Sequence, residues 1–346
     1  MNRRTFLAGA AATPLLWPAR AASQPAIPIG DMHFHSYFGS SKYHSRPLAA
    51  TLAAGGATLV AWSLVGDLLL VDWRTHKQKV EPRPGEALGW FERELGRIKA
   101  HCAEQRLKLV ATPADVDRAA GGAPHIVLAV EGATFLETDP GRVKRAFDLG
   151  VRHLGLVHYI RNPIGDIQTL PYESHGLTDL GKQVVQECNR LGILIDVAHC
   201  APAVIGDVLA VSTAPIVFSH GSIVRGPAAA PTARIWRARQ LPLDLARAIA
   251  AKGGVVGLWA LTLDIGKSVE DYARRLAEAA DWLGEDHVAF GTDLNGLGPN
   301  AIVSSYAEVR GVLARWQAQG MPEPRMRKLA IGNYARVLKA AMAAQR

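Results

Sequence analysis

Imidazoles and carboxylates recur in this sequence at the ends of short apolar runs. The stretch "GDMHFHSYFG", residues 30–39, sets Asp31, His33 and His35 at alternate positions after "AIPI". Alternate residues of a strand share one face, so the three are expected to point the same way. Glu131 closes "HIVLAVE", His158 closes "RHLGLVH", and His199 closes "ILIDVAH". His220 closes "PIVFSH" and Asp293 closes "HVAFGTD". Imidazole nitrogens and carboxylate oxygens are ligands for zinc and similar divalent ions, and they carry protons near neutral pH. Burying so many of them without a metal would leave each in need of its own partner. A metal centre served by acid–base groups is the chemistry to which the set points. Taken singly, each has a plainer use: a hydrogen-bonded core histidine, Glu131 capping a helix, or Asp293 as a turn residue in "TDLNG".

The elements that would position these groups follow from the apolar pattern. Strands are predicted at 27–33, 57–65, 125–131, 152–158, 193–199, 215–220, 254–260 and 287–293. A ninth short run, 107–111, is placed outside this set. Amphipathic helices are predicted at 88–104, 178–191, 243–252, 268–283 and 322–345, with Thr178 as a cap and Gly192 as a stop for the second. Strands alternating with helices imply parallel pairing, since a parallel connection needs a long crossover. Eight such units close an α/β (β/α)8 barrel of TIM type, in which functional side chains gather at the C-terminal strand ends. No Gly-rich phosphate loop follows the first strand, which argues against a doubly wound sheet. Two long loops, 66–86 and 221–242, are rich in Pro, Arg and Gly.

The chain has 346 residues, 49% hydrophobic and 20% charged, enough to bury a large core. It begins "MNRRTFLAGAAATPLLWPARAAS", a charged start, a short apolar stretch and small residues at Ala19 and Ala21. This is the build of a cleaved signal peptide over 1–22, and Arg3-Arg4 resembles a twin-arginine export signal. The expected mature protein is one barrel domain over 23–346, periplasmic and without a stable membrane anchor. Loss of Arg3, Arg4 and Arg20 lowers the formal charge of +8 by three. The remaining basic residues are scattered among acids, which excludes a nucleic-acid-binding stripe. Cys102, Cys188 and Cys200 are too few for a disulfide framework or a cysteine-rich zinc site.

Seven stretches fall in order along residues 30–338: "VEGA", "GVRHLGLVH", "GLTDLGKQVVQECNRLGILIDVAHC", "IVFSHGS", "LARAIAAKGGVVGL", "DHVAFGTDLNG" and "KLAIGNYARVL". Through them the chain resembles the membrane dipeptidase (renal dipeptidase) family, zinc metallopeptidases of the amidohydrolase-like barrels. The resemblance implies two zinc ions per chain. His33 matches the family's first-strand histidine, Glu131 its zinc-bridging carboxylate, and His199 with His220 the ligands of the second zinc. It further implies that His158 faces the substrate, that Asp293 is the aspartate beside the metals, and that Arg239 holds the carboxylate of a dipeptide. The expected reaction is attack of a metal-bridging hydroxide on the amide bond, with Asp293 moving the proton. A homodimer is implied as well.

Two departures stand out. His35 occupies the place where the family has aspartate; His-x-His is the first-strand pattern of many other amidohydrolases, so metal binding is expected to persist with one more unit of positive charge. The loop "GSIVRGPAAAPTARIWRARQ" is not the family's usual one, which leaves Arg234 and Arg237 as alternatives to Arg239. Both departures keep open a metal hydrolase acting on another amide, a lactone or an ester. A non-catalytic periplasmic binding protein on the same barrel is the reading from another class.

Overall fold

A computed structural model describes residues 26–36 and 47–344. The predicted signal segment and residues 37–39 of the opening motif lie outside the described residues. Eight parallel strands form the barrel: β1 (Ile29–Phe34), β2 (Ala57–Val65), β3 (His125–Glu131), β4 (Val151–Gly155), β5 (Leu194–Asp196), β6 (Val217–Phe218), β7 (Val255–Leu258) and β8 (Val288–Phe290). They pair in sequence order, as right-handed β–helix–β units dictate. The seam between β8 and β1 is closed just beyond β8. There the Asp293 amide donates to the His33 carbonyl at 3.1 Å, and the His35 amide to the Leu294 carbonyl at 3.0 Å.

Period-2 alternation divides the core. Leu59, Ala61, Val127 and Ala129 fill the barrel with Met32, Leu194 and Val255. Their neighbours Val60, Trp62, Leu64, Ile126, Leu128 and Val130 face the helical layer. The C-terminal helix Asn333–Ala343 closes the N-terminal mouth, adding Tyr334, Val337 and Leu338 to the inner cluster. A Cβ on Gly30, at the start of β1, would lie 3.1 Å from Ile331.

The helices start and stop where the sequence marks them. Thr178 accepts from the Gly181 amide at 3.0 Å, and Gly192 ends Asp179–Leu191 in the left-handed region at φ 74. Several expectations are corrected. The predicted strands 152–158, 193–199, 215–220, 254–260 and 287–293 end two or three residues early. Beyond two of these ends the chain must turn: His199 has φ 69 and Asp293 φ 55, left-handed conformations that no strand continues. The predicted helix 322–345 is broken into Glu323–Arg327 and Asn333–Ala343 by a π turn, Lys328–Gly332. Within the run 107–111, Lys108–Leu109 lies off the barrel path yet pairs with the start of β3. The two long loops carry structure: an antiparallel pair, Val71–Asp72 with Lys77–Gln78, and a parallel pair, Ser222–Val224 with Gln240–Pro242.

Asp31 does not share the face of His33 and His35. The β1–β2 register shifts between Asp31 and Phe34, and this irregularity breaks the alternation. Asp31 accepts from the Thr292 hydroxyl at 2.6 Å, the Thr292 amide at 2.9 Å, Tyr306 Oη at 2.9 Å and the His33 amide at 3.3 Å. It stitches the barrel seam to the helix Tyr306–Ala318. Burial pushes its carboxyl up to about 6 in spite of those donors. The three cysteines are buried and free. Among the described residues no helix is long and apolar enough to cross a membrane.

Candidate metal centre

The C-terminal strand ends bring His33, His35, Glu131, His158, His199, His220 and Asp293 together, all buried. Glu131, the last residue of β3, sits at the middle. Its Oε1 lies 2.8 Å from His199 Nε2, 3.3 Å from His220 Nε2, and 3.5 Å from both His33 Nε2 and His158 Nε2. Its Oε2 is 3.7 Å from His35 Nε2 and makes no hydrogen bond. His35 Nε2 is also 3.4 Å from Asp293 Oδ1, and the His33 ring stacks on His220 at 3.7 Å.

Three overlapping groups offer ligand atoms within 4.8 Å of one another: His33 with His35 and Asp293, Glu131 with His199 and His220, and His33 with Asp196 and His220. The donor set fits a divalent metal. His33 Nε2 and His35 Nε2 stand 3.1 Å apart, so either one carries a proton or both lone pairs face a shared cation. The far side of the cluster sets ring orientation, as metal-binding histidines require. His35 Nδ1 meets the Ser63 carbonyl at 2.9 Å, and His33 Nδ1 meets Ser63 Oγ at 3.1 Å. His220 Nδ1 meets Ser219 Oγ at 2.9 Å. Asp196 holds the amides of Ala198 and Ser219, each at 2.9 Å, and so ties β5 to the chain that carries His220.

Protonation follows from burial and charge. Burial, reinforced by His220, holds His33 well below the ordinary histidine range, and burial with Arg239 does the same to His199. Both are therefore neutral, as a ligand must be. Burial opposes ionisation of Glu131, yet His158 and His33 hold its carboxyl well below the usual range. Burial also lowers His35, but the Asp293 hydrogen bond and Glu131 outweigh it and raise the group. His158 is raised too, with Asp67 and Glu131 overcoming desolvation.

Arg239 is 2% exposed and borders the cluster, whereas Arg234 and Arg237 are exposed. Its Nη2 donates to His220 Nε2 at 3.1 Å and to the His220 carbonyl at 3.3 Å, and its Nε donates to Gln168 Oε1 at 3.1 Å. The guanidinium lies 5.3 Å over the Trp259 ring.

The sequence reading missed Asp67, whose Oδ1 lies 2.6 Å from His158 Nδ1. Its Oδ2 accepts from the amides of Tyr159 at 3.0 Å and Ile160 at 3.2 Å. A signal existed: Asp67 is two residues past β2, as far beyond its strand as His220 is beyond β6. Tyr159 and Gln168, in the loop after β4, carried no such signal. Burial pushes the Tyr159 hydroxyl up to about 12.

The sequence profile of the membrane dipeptidase family (peptidase family M19) matches residues 50–346. Dipeptidase verJ of Clonostachys rogersoniana is 30% identical over 178 residues, 49% of this chain and 43% of that protein. Dipeptidase tcpJ of Claviceps purpurea (strain 20.1) is 26% identical over 221 residues, 62% of this chain and 50% of that protein. The chain thus spans half or less of these relatives' length. The fold is shared with a metallopeptidase from Rhodobacter sphaeroides liganded with a phosphinate mimic of L-Ala-D-Ala. That pair has a TM-score of 0.73 and 23% identity, covering 91% of this chain and 99% of the other. With the profile covering most of the chain, this protein belongs to the membrane dipeptidase family, peptidase family M19.

Proposed function

We propose that the chain is a zinc-dependent dipeptidase that hydrolyses the amide bond of a dipeptide. The observation that carries this reading is the crowding of four imidazole Nε2 atoms, from four strand ends, within 3.5 Å of Glu131 Oε1. His33 and His35 would hold one zinc ion and His199 with His220 the other, with Glu131 serving both and Asp293 beside them. Zinc held by these residues would supply Lewis-acid polarisation of the scissile carbonyl and a more acidic attacking water. Asp293 accepts the water's proton at its carboxylate and returns it to the leaving amine, a role typically worth about 10²–10⁴-fold. His158 presents Nε2 to the carbonyl oxygen as that atom gains charge, where a preorganised donor is worth roughly 3 kcal/mol. Arg239 grips the dipeptide's C-terminal carboxylate, and its seat against His220 puts that charge beside the cluster. The dipeptide mimic in the Rhodobacter sphaeroides neighbour supports this substrate class.

A dipeptide panel that includes L-D pairs, run with zinc and with a chelator, tests the reading. Turnover that the chelator abolishes and zinc restores, with about two zinc ions per chain, is the expected result. Fewer than one metal ion per chain together with no hydrolysis would sink it and leave the binding-protein alternative. His35 favours one further arm: lactones and esters run beside the dipeptides, since the cluster carries one negative ligand fewer than the family pattern. Export to the periplasm through the twin-arginine-like segment belongs to the same proposal, and Arg3-Arg4→Lys-Lys should then strand the protein in the cytoplasm. Light scattering on the purified chain tests the homodimer.

A further inference from the structure

We propose that Asp67 is the positioning residue for His158: it accepts from the Nδ1–H and so aims the Nε2–H at the reacting carbonyl. The inference rests on the reading above in that His158 meets the substrate. Four observations carry it. Asp67 is fully buried, and among the described residues its carboxylate is hydrogen-bonded only to His158 and to the amides of Tyr159 and Ile160. Two backbone donors fix Oδ2, so Oδ1 has one orientation and faces Nδ1 at 2.6 Å. A carboxylate oxygen facing Nδ1 accepts, so Nδ1 carries hydrogen, and Nε2 is left facing the cluster, 3.5 Å from Glu131 Oε1. The ring has little room to turn, with Tyr159 centred at 4.3 Å and His199 at 4.4 Å.

The backbone is built to allow this contact. A Cβ on Gly66 would fall 1.9 Å from the Gly132 carbonyl, so only glycine lets the end of β2 pass the end of β3 and deliver Asp67. Gly132 has φ +85, and a Cβ there would lie 2.9 Å from His158 Cβ. Two glycines thus clear the path on either side of the Asp67–His158 pair. No hydrogen bond or ion pair joins Asp67 to His33, His35, Glu131, His199, His220 or Asp293 among the described residues, so its influence on the reaction passes through His158.

Asp67→Asn is the discriminating variant. The two amides hold the asparagine oxygen, which turns its NH2 group toward His158. Nδ1 must then accept and gives up its hydrogen, which leaves the Nε2–H donor without a carboxylate behind the ring. In the zinc-loaded full chain, kcat for the best dipeptide should fall roughly 10–100-fold, the usual cost of losing such a partner. KM should stay within about threefold and zinc content should not change. With 15N-histidine labelling, the His158 Nδ1–H correlation of the parent should be lost in Asp67→Asn, while an Nε2–H correlation is present in both. In a His158→Gln background, Asp67→Asn should cost less than about twofold. An equal loss in both backgrounds, a kcat within twofold of the parent, or a parent His158 without hydrogen on Nδ1 would each overturn the proposal. If Asp67→Asn does not fold, the labelled parent alone still decides where the proton sits. If the parent hydrolyses no dipeptide, the proposed function fails while the spectrum still judges Asp67.

Discussion

His35 stands where the resemblance to the family implies an aspartate, and its surroundings bear on what an imidazole does there. Nδ1 is fixed on the Ser63 carbonyl, and Nε2 points at His33, Glu131 and Asp293. An imidazole in place of a carboxylate removes one negative charge from a site proposed to hold two zinc ions. His35→Asp restores it and should slow zinc loss to a chelator by about 10-fold, a size typical of changes around a metal. Stopped-flow release with a chromogenic chelator measures this; equal or faster loss would contradict the charge argument. Arg239 makes a different prediction. Its proposed partner is the substrate's carboxylate, present in ground and transition states alike, so Arg239→Ala should act on binding. Losing a hydrogen bond to a charged group costs about 1.5–3 kcal/mol, which corresponds to roughly 10–100-fold in KM. Steady-state kinetics on an L-L dipeptide decide, and a change confined to kcat would remove Arg239 from that role.

At the scale of the element, helix ends supply a clean test of pH dependence. Ser268 and Asp271 form a capping box at the start of Val269–Leu283, with Ser268 Oγ accepting from the Asp271 amide at 3.1 Å. The Ser268 hydroxyl, then the Arg274 guanidinium, hold the Asp271 carboxyl down from 3.8 to about 2. A folded-state value below the unfolded one means that the box stabilises the protein above about pH 4 and ceases to do so as pH falls through about 2. Asp271→Asn should therefore melt lower than the parent at neutral pH, with the gap closing between about pH 4 and 2. Calorimetry over that range checks it; a gap that does not change with pH would mean that the charge plays no part. The same elements show why the sequence was easier to read at helix ends than at strand ends. Thr178, Gly192 and Ser268 act through atoms a few residues away, so their chemistry is local. The ends of β4 to β8 depend on where neighbouring strands stop and where His199 and Asp293 turn left-handed, and neither fact is written in the apolar run itself.

For the whole molecule, the point of interest is the barrel seam. Among the described residues, the backbone bonds between β8 and β1 lie around Asp293 and His35, and side chains add to them: Asp31 through Thr292 and Tyr306, and Asn295 through the His35 carbonyl. The seam therefore joins the fold's closure to two residues of the metal cluster. Thr292→Val removes the hydroxyl that donates to Asp31 and accepts from the Leu294 amide. It should cost about 2 kcal/mol, as expected for a buried hydrogen bond to a charged group. Urea unfolding measures the loss, and an unchanged m-value would assign it to stability rather than to a change in compactness. A cost below about 0.5 kcal/mol would mean that the seam is held by strand pairing alone.

By itself the sequence determined the alternation of strands and helices, the eight-strand count, and the strand-end residues that converge on Glu131. It could do so because apolar period, caps and strand-end chemistry are local properties. Tertiary structure decided the rest. The β1 irregularity sends Asp31 to the helical layer rather than to the cluster, because register is set by the neighbouring strand and not by alternation in one run. Burial against His220 sets Arg239 apart from the exposed Arg234 and Arg237, a difference that the spacing of arginines in a loop does not specify. It also brought Asp67 to His158 across 91 residues of chain, through a close passage of Gly66 over Gly132 that exists only once two strand ends lie side by side.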